Sequence, residues 1–225
     1  EKKSSRETAE GKVLSLIADD LHAGVILEIK CETDFVARSD TFMEFSDEVA
    51  KIALAKRVNS AQELMAEKNA KGIGVEEIRS AVVTKLGENI QITRVITMES
   101  KGYIQAYTHS DRIAVLVAME KENTALAQDI AMHITAFSPA SISEKDFPED
   151  ILAKEKDIFA TQAQGSNKPA EIVDKIVVGK IKKYLRGVTL YGQPFIKDQD
   201  IAVSEVLKKE ANEVLSFYRL ELGKE

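Results

Sequence analysis

With 225 residues, 44% of them hydrophobic and 30% charged, the chain has the make-up of a folded protein that buries a sizeable core, in one domain or two. A formal net charge of −6 argues against binding nucleic acid by neutralising phosphates, and no apolar run is long enough to span a bilayer. The single cysteine excludes an internal disulfide and a cysteine-rich zinc site, so the composition fits a protein partner in a reducing, cytoplasmic setting.

The opening Glu1-Lys2-Lys3-Ser4-Ser5-Arg6 is polar and has no signal-peptide core; starting on Glu1 rather than methionine, the chain reads as trimmed. Val13, Ser15 and Ile17 alternate with Leu14 and Leu16, and Val25, Leu27, Ile29 and Cys31 alternate with Glu28, Lys30 and Glu32. Two half-buried strands are predicted, with Ile26 as the exception, joined in a hairpin across an Asp19-Asp20 turn that ends in Gly24. Phe42, Phe45, Val49 and Ile52 then step by three and four residues. This predicts an amphipathic helix from Ser39 or Thr41, either of which can cap it, to about Arg57. Between strand and helix lies Cys31-Glu32-Thr33-Asp34-Phe35-Val36-Ala37-Arg38, where an aromatic sits beside a carboxylate. Phe35 admits two readings: an apolar staple on the helix start, or a projecting wedge.

Ser60 is placed to cap a further helix through Leu64 and Met65. Gly72-Ile73-Gly74 punctuates the chain before Val75, without the Lys-Ser or Lys-Thr that a phosphate loop requires. Beyond Gly87, the spacing puts Ile90, Ile92, Ile96 and Met98 on one side of a strand and Gln91, Thr93 and Thr97 on the other, Arg94 being out of pattern. An internal repeat follows. Residues 102–107 resemble residues 11–16, residues 112–119 resemble the strand at 25–31, and residues 129–134 match the helix at 47–52 in character. The second copy runs from Met119 through Glu120-Lys121-Glu122-Asn123 with no counterpart of Phe35. Packing such a unit therefore does not by itself require that aromatic, which favours the wedge.

Ile151, Leu152, Phe159 and Ala163 make a helical stripe that ends at Gly165. Ser166 or Asn167 is placed to cap a second helix, with Pro169 in its first turn and Ile172, Val173, Ile176, Val177, Ile181 and Tyr184 as its stripe. The pair predicts an antiparallel helical hairpin, and Lys180, Lys182, Lys183 and Arg186 near its end read as a solvated, dipole-compensating face. Gly192 and Pro194 then turn the chain, Val203, Val206 and Leu207 begin a last helix, and residues 214–222 close as a strand. The fold class is thus α+β: two related antiparallel β-hairpin-plus-helix core units with a projecting antiparallel helical hairpin. Its divisions fall at 1–101, 102–147, 148–190 and 191–225.

His22, His109 and His133 are scattered with no paired ligand spacing, and Cys31 has no nucleophile elbow or other supporting motif. No catalytic residue, metal or cofactor is assigned. The motif Thr33-Asp34-Phe35-Val36 after a strand ending in Cys31 resembles the signature of elongation factor Ts. Lys85-Leu86-Gly87-Glu88-Asn89-Ile90, Ile130-Ala131-Met132-His133 and Gly192-Gln193-Pro194-Phe195 resemble later segments of that family in the same order, and the likeness runs from about Gly11 to Gly223. The resemblance is to the bacterial type without its small N-terminal helical module.

That resemblance implies a non-enzymatic guanine-nucleotide exchange factor that binds elongation factor Tu and promotes GDP release. Asp34 and Phe35 would disturb the magnesium and phosphate site, and Thr33 and Val36 would hold the turn. Further partner contacts are implied at Ile113, His133, Ile196, Val206 and Leu207. Ala114 and Lys197 depart from residues common in relatives beside Ile113 and Ile196. No direct nucleic-acid or membrane contact is expected, and homo-oligomerisation stays open. The alternatives are a structural adaptor using its helical hairpin and, third, a cysteine-dependent enzyme.

Overall fold

The computed structural model describes residues 6–164, Gln164 by its backbone alone, and 169–224. In chain order the elements are β1 (Glu10–Ile17), β2 (Ala23–Cys31), α1 (Asp34–Ala37), α2 (Asp40–Lys56), α3 (Ala61–Ala66), α4 (Val75–Leu86), β3 (Gln91–Glu99), β4 (Tyr103–His109), β5 (Ile113–Met119) and α5 (Thr124–Phe137). They continue as α6 (Glu149–Gln164), α7 (Ala170–Val188), β6 (Pro194–Phe195), β7 (Asp198–Ala202), α8 (Val203–Lys209) and β8 (Val214–Glu221). Helices and antiparallel sheets together make the fold α+β. The chain divides into two compact units, Glu1–Thr135 with Val214–Glu225, and Ala136–Glu213.

The first unit holds two antiparallel sheets, ordered β1-β2-β3 and β4-β5-β8. One face of the first sheet packs on α2: Leu27, Ile29 and Cys31 meet Phe42, Phe45 and Val49 in a core that Leu64 and Val75 extend. The other face meets the second sheet, where Val13, Ile26 and Met98 pack with Ile104, Ala114, Leu116 and Leu220. This double cover corrects the half-buried expectation for β2. Every residue of the strand except Lys30 is buried, and Ile26 breaks the alternation because its own face is covered too.

The predicted one-sided stripe on β3 is also corrected. Glu28 pairs with Arg94 while Ile29 pairs with Ile92, so Thr93 is an extra residue in the ladder. A bulge of this kind exchanges the faces beyond it. Ile92 and Val95 consequently join the helix-side core, whereas Ile96 and Met98 face the other sheet. Beside the bulge, buried Glu28 accepts hydrogen bonds from Arg94 Nη2 at 2.9 Å, Arg94 Nε at 3.0 Å, the Gly223 N–H at 2.6 Å and the Thr93 hydroxyl. Arg94 in turn donates to the Glu221 carbonyl at 2.5 Å, so this cluster ties β2 and β3 to the end of β8.

The first hairpin turn takes its left-handed residue from Leu21, with φ of 62°, rather than from Gly24. Gly24 instead lies in β2, where a Cβ would stand 2.9 Å from Leu116 Cδ2 across the sheets. A tighter constraint recurs at the head of each hairpin: a Cβ on Gly11 would lie 2.1 Å from the Ile29 carbonyl oxygen, and one on Gly102 2.1 Å from that of Met119. Because a sheet carbonyl cannot move aside as a side chain can, Gly102→Ala is expected to destabilise the protein by about 1–3 kcal/mol. Urea unfolding of the variant beside the parent measures it; an unchanged midpoint would refute the close approach.

In the second unit, α6 and α7 pack around Phe147, Leu152, Phe159, Val177, Ile181, Tyr184 and Leu185. Tyr184 meets Phe147 and Phe159 edge-on, with ring centroids 5.9 and 6.1 Å away. The stripe is narrower than predicted: Ile151 and Ile172 stand exposed, the latter in the first turn of α7, and tight packing starts at Val177. Pro169 occupies the N-cap of α7. The expected stop at Gly165 and caps at Ser166 or Asn167 lie outside the described residues. The segment read only as a turn forms a small antiparallel ribbon, β6 with β7.

Candidate partner-docking site

β2 ends at Cys31, and two residues later the chain starts a single helical turn. Thr33 caps it: its backbone is extended and its Oγ1 accepts the Val36 N–H at 3.4 Å. Ser39 then caps α2 by accepting the Phe42 N–H at 3.3 Å, while its own hydroxyl donates to the Val36 carbonyl at 2.8 Å. Two successive caps thus fix the four-residue turn Asp34–Ala37 and the Arg38 that follows it. Val36 and Ala37 turn inward and pack on the first core. Phe35 turns outward and is 84% exposed, the most exposed large apolar side chain among the described residues. The staple reading of Phe35 is therefore wrong: the inward-facing neighbours already close the core. Asp34 lies beside it, in an i,i+4 ion pair with Arg38 at 3.4 Å.

The base of this turn is held from α4. Gly87 takes the left-handed C-cap conformation, with φ of 81°, and delivers Glu88 to the end of β2. One Glu88 oxygen accepts the N–H groups of Glu32 at 3.1 Å and Thr33 at 3.0 Å, and the other accepts the Thr33 hydroxyl at 2.6 Å. Glu32 reciprocates by accepting the Asn89 N–H at 2.7 Å. Sequence reasoning noted Glu88 only as part of a family segment. The glycine after the last apolar residue of α4 marks where the chain changes direction, but it does not tell which distant backbone the next side chain meets.

Cys31 lies under the same turn, fully buried, its thiol donating to the Thr33 carbonyl at 3.2 Å. Burial, then the nearby Glu88 charge, pushes the thiol up to about 12. A thiol so protonated is a poor nucleophile, which counts against the cysteine-enzyme reading. A maleimide at neutral pH should leave the native protein unlabelled and react once urea unfolds it; rapid labelling of the folded chain would contradict this placement.

The structure gathers Thr33, Asp34, Phe35 and Val36 into one turn. Ile113 opens β5 in the same unit, partly buried, and His133 on α5 is fully buried. In the second unit Ile196 follows β6, Val206 is partly exposed on α8, and Leu207 is buried. Among the described residues no group of His, Cys, Asp and Glu is arranged to hold a metal ion, and no helix is long and apolar enough to cross a membrane.

An exposed aromatic on a turn fixed from both sides is suited to entering a pocket on another macromolecule. The family is settled by comparison. The family model described as Elongation factor TS matches residues 32–224. The chain is 44% identical to "Elongation factor Ts" of Methylococcus capsulatus over 224 residues, covering 99% of this chain and 76% of that protein. With the proteins of the same name from Hydrogenovibrio crunogenus and Francisella tularensis subsp. novicida it is 43% and 44% identical, at the same coverage. The chain belongs to the elongation factor Ts family, and its role is that of a translation elongation factor.

Proposed function

We propose that the chain is a guanine-nucleotide exchange factor that binds elongation factor Tu in the cytoplasm and hastens GDP release without chemical catalysis. The observation that carries this reading is Phe35, left in water on a turn whose backbone is pinned by Thr33, Ser39 and Glu88. Bound GDP depends on loop amides, a helix N-terminus and magnesium. An apolar ring and a carboxylate entering beside the metal weaken those contacts, and Phe35 and Asp34 supply them. Thr33 and Val36 anchor the turn. Ile113, His133, Ile196, Val206 and Leu207 belong to the wider docking surface, the buried ones as its support. Val178 and Ile158, 68% and 48% exposed on the helical hairpin, offer apolar area for a further contact. The matching glycines at the heads of the two hairpins support reading these as related copies, of which only the first carries the wedge.

Coupling between the two ligands of elongation factor Tu is reciprocal: the factor by which this chain weakens GDP is the factor by which GDP weakens this chain. Calorimetric titration of the chain into nucleotide-free and into GDP-loaded elongation factor Tu tests the reading. Much tighter binding to the nucleotide-free form is expected. Equal affinities would overturn it in favour of an adaptor indifferent to nucleotide.

A further inference from the structure

The hydrogen bonds at the base of the wedge form a closed, reciprocal pattern. Segment 32–33 donates two backbone N–H groups to the Glu88 carboxylate, and segment 88–89 donates one to the Glu32 carboxylate. The Thr33 hydroxyl adds a bond of 2.6 Å to Glu88, which orients that hydroxyl so that its lone pair faces the Val36 N–H. Asn89, itself almost fully buried, also donates its side-chain amide to the Arg6 carbonyl at 2.8 Å. The bonds to the Glu88 and Glu32 carboxylates are charge-assisted, about twice as strong as neutral ones. None of them touches Phe35. They fix the direction in which α1 leaves β2, and with it the direction of the exposed ring.

We infer that Glu88 is a positioning residue of the exchange site, holding the Thr33 turn so that Phe35 arrives already aimed. This inference rests on the exchange-factor reading above. A side chain that must enter a pocket loses less free energy on binding when its backbone is already fixed, and a misplacement of about 1 Å can cost two orders of magnitude in rate. Glu88 lies at the end of a helix rather than in its interior, and the core beneath the turn is apolar and complete without it. Its removal therefore frees the turn without emptying the core.

The test is Glu88→Ala, with Glu88→Gln as the conservative partner, since an amide oxygen still accepts from the turn. Three quantities are read: the saturating rate of GDP release from elongation factor Tu, the chain concentration giving half that rate, and hydrogen exchange at the Glu32 and Thr33 amides in the free chain. Glu88→Ala should lower the saturating rate roughly tenfold or more with little change in the half-saturating concentration, while the two amides exchange faster. Glu88→Gln should restore part of each. A purely structural Glu88 would instead lower the thermal midpoint and scale all the activity with the fraction folded. Unchanged saturating rates in both variants, with a parent that is active, would overturn the positioning role and leave the exchange reading intact. A parent that releases no GDP would sink the exchange reading itself, and amide exchange would still report whether Glu88 holds the turn.

Discussion

Phe35→Ala is expected to leave unfolding within about 0.5 kcal/mol of the parent while cutting the acceleration of GDP release by one to two orders of magnitude. The ring contributes nothing to the core, since it is 84% exposed. Within a complex, burying a phenylalanine yields roughly 1.5–3 kcal/mol, which corresponds to about tenfold to a hundredfold in rate. The wedge cannot act alone. Acceleration by about four decades requires ~5 kcal/mol of transition-state stabilisation, so a broader surface supplies the remainder. Stopped-flow GDP release and urea denaturation of the same variant separate the two effects. A variant as active as the parent would return Phe35 to the status of an idle surface residue.

The largest effect on stability is expected at Glu28. Burial alone raises its carboxyl, but the hydrogen bonds from Arg94, the Gly223 N–H and Thr93, with the Arg94 charge, outweigh burial and hold it below the ordinary value of 4.5. A carboxyl depressed in the folded state stabilises the fold above its unfolded pKa, and that contribution disappears as pH falls through the folded value. Glu28→Ala strips partners from Arg94, from a backbone amide and from a threonine at once. Removing one member of a buried pair costs about 3–5 kcal/mol, and the partial exposure of Arg94 puts this site near the lower end. Denaturant unfolding from pH 7 to pH 3 should show a large gap between parent and variant at neutral pH that narrows in acid. A gap independent of pH would assign the loss to packing rather than to ionisation.

Local signals in the chain were legible where local physics decides. Ser39 and Ser60 cap helices where their position before apolar periodic runs predicts. The alternation of residues 13–17 and 25–31 gives β1 and β2, and the contrast between the two repeats pointed to an outward Phe35. What was not legible depends on distant partners. The second face of β2 is buried by Ile104 and Leu116, some eighty residues further on, so nothing near Ile26 announces it. The exchange of faces along β3 rests on one extra residue at Thr93, which a period-two reading passes over. Glu88 was missed for the same reason: its meaning lies in the 56-residue separation from Glu32, not in its neighbours. The packed width of the α6–α7 stripe depends on which apolar side chains find a partner, and Ile172 finds none in its cluster.

The most direct measurement is the release of a fluorescent GDP analogue from elongation factor Tu, chased by excess unlabelled GDP, with and without this chain. The account predicts that release accelerates with increasing chain and saturates. Release at the intrinsic rate at every concentration, from elongation factor Tu shown to bind the chain, would contradict it.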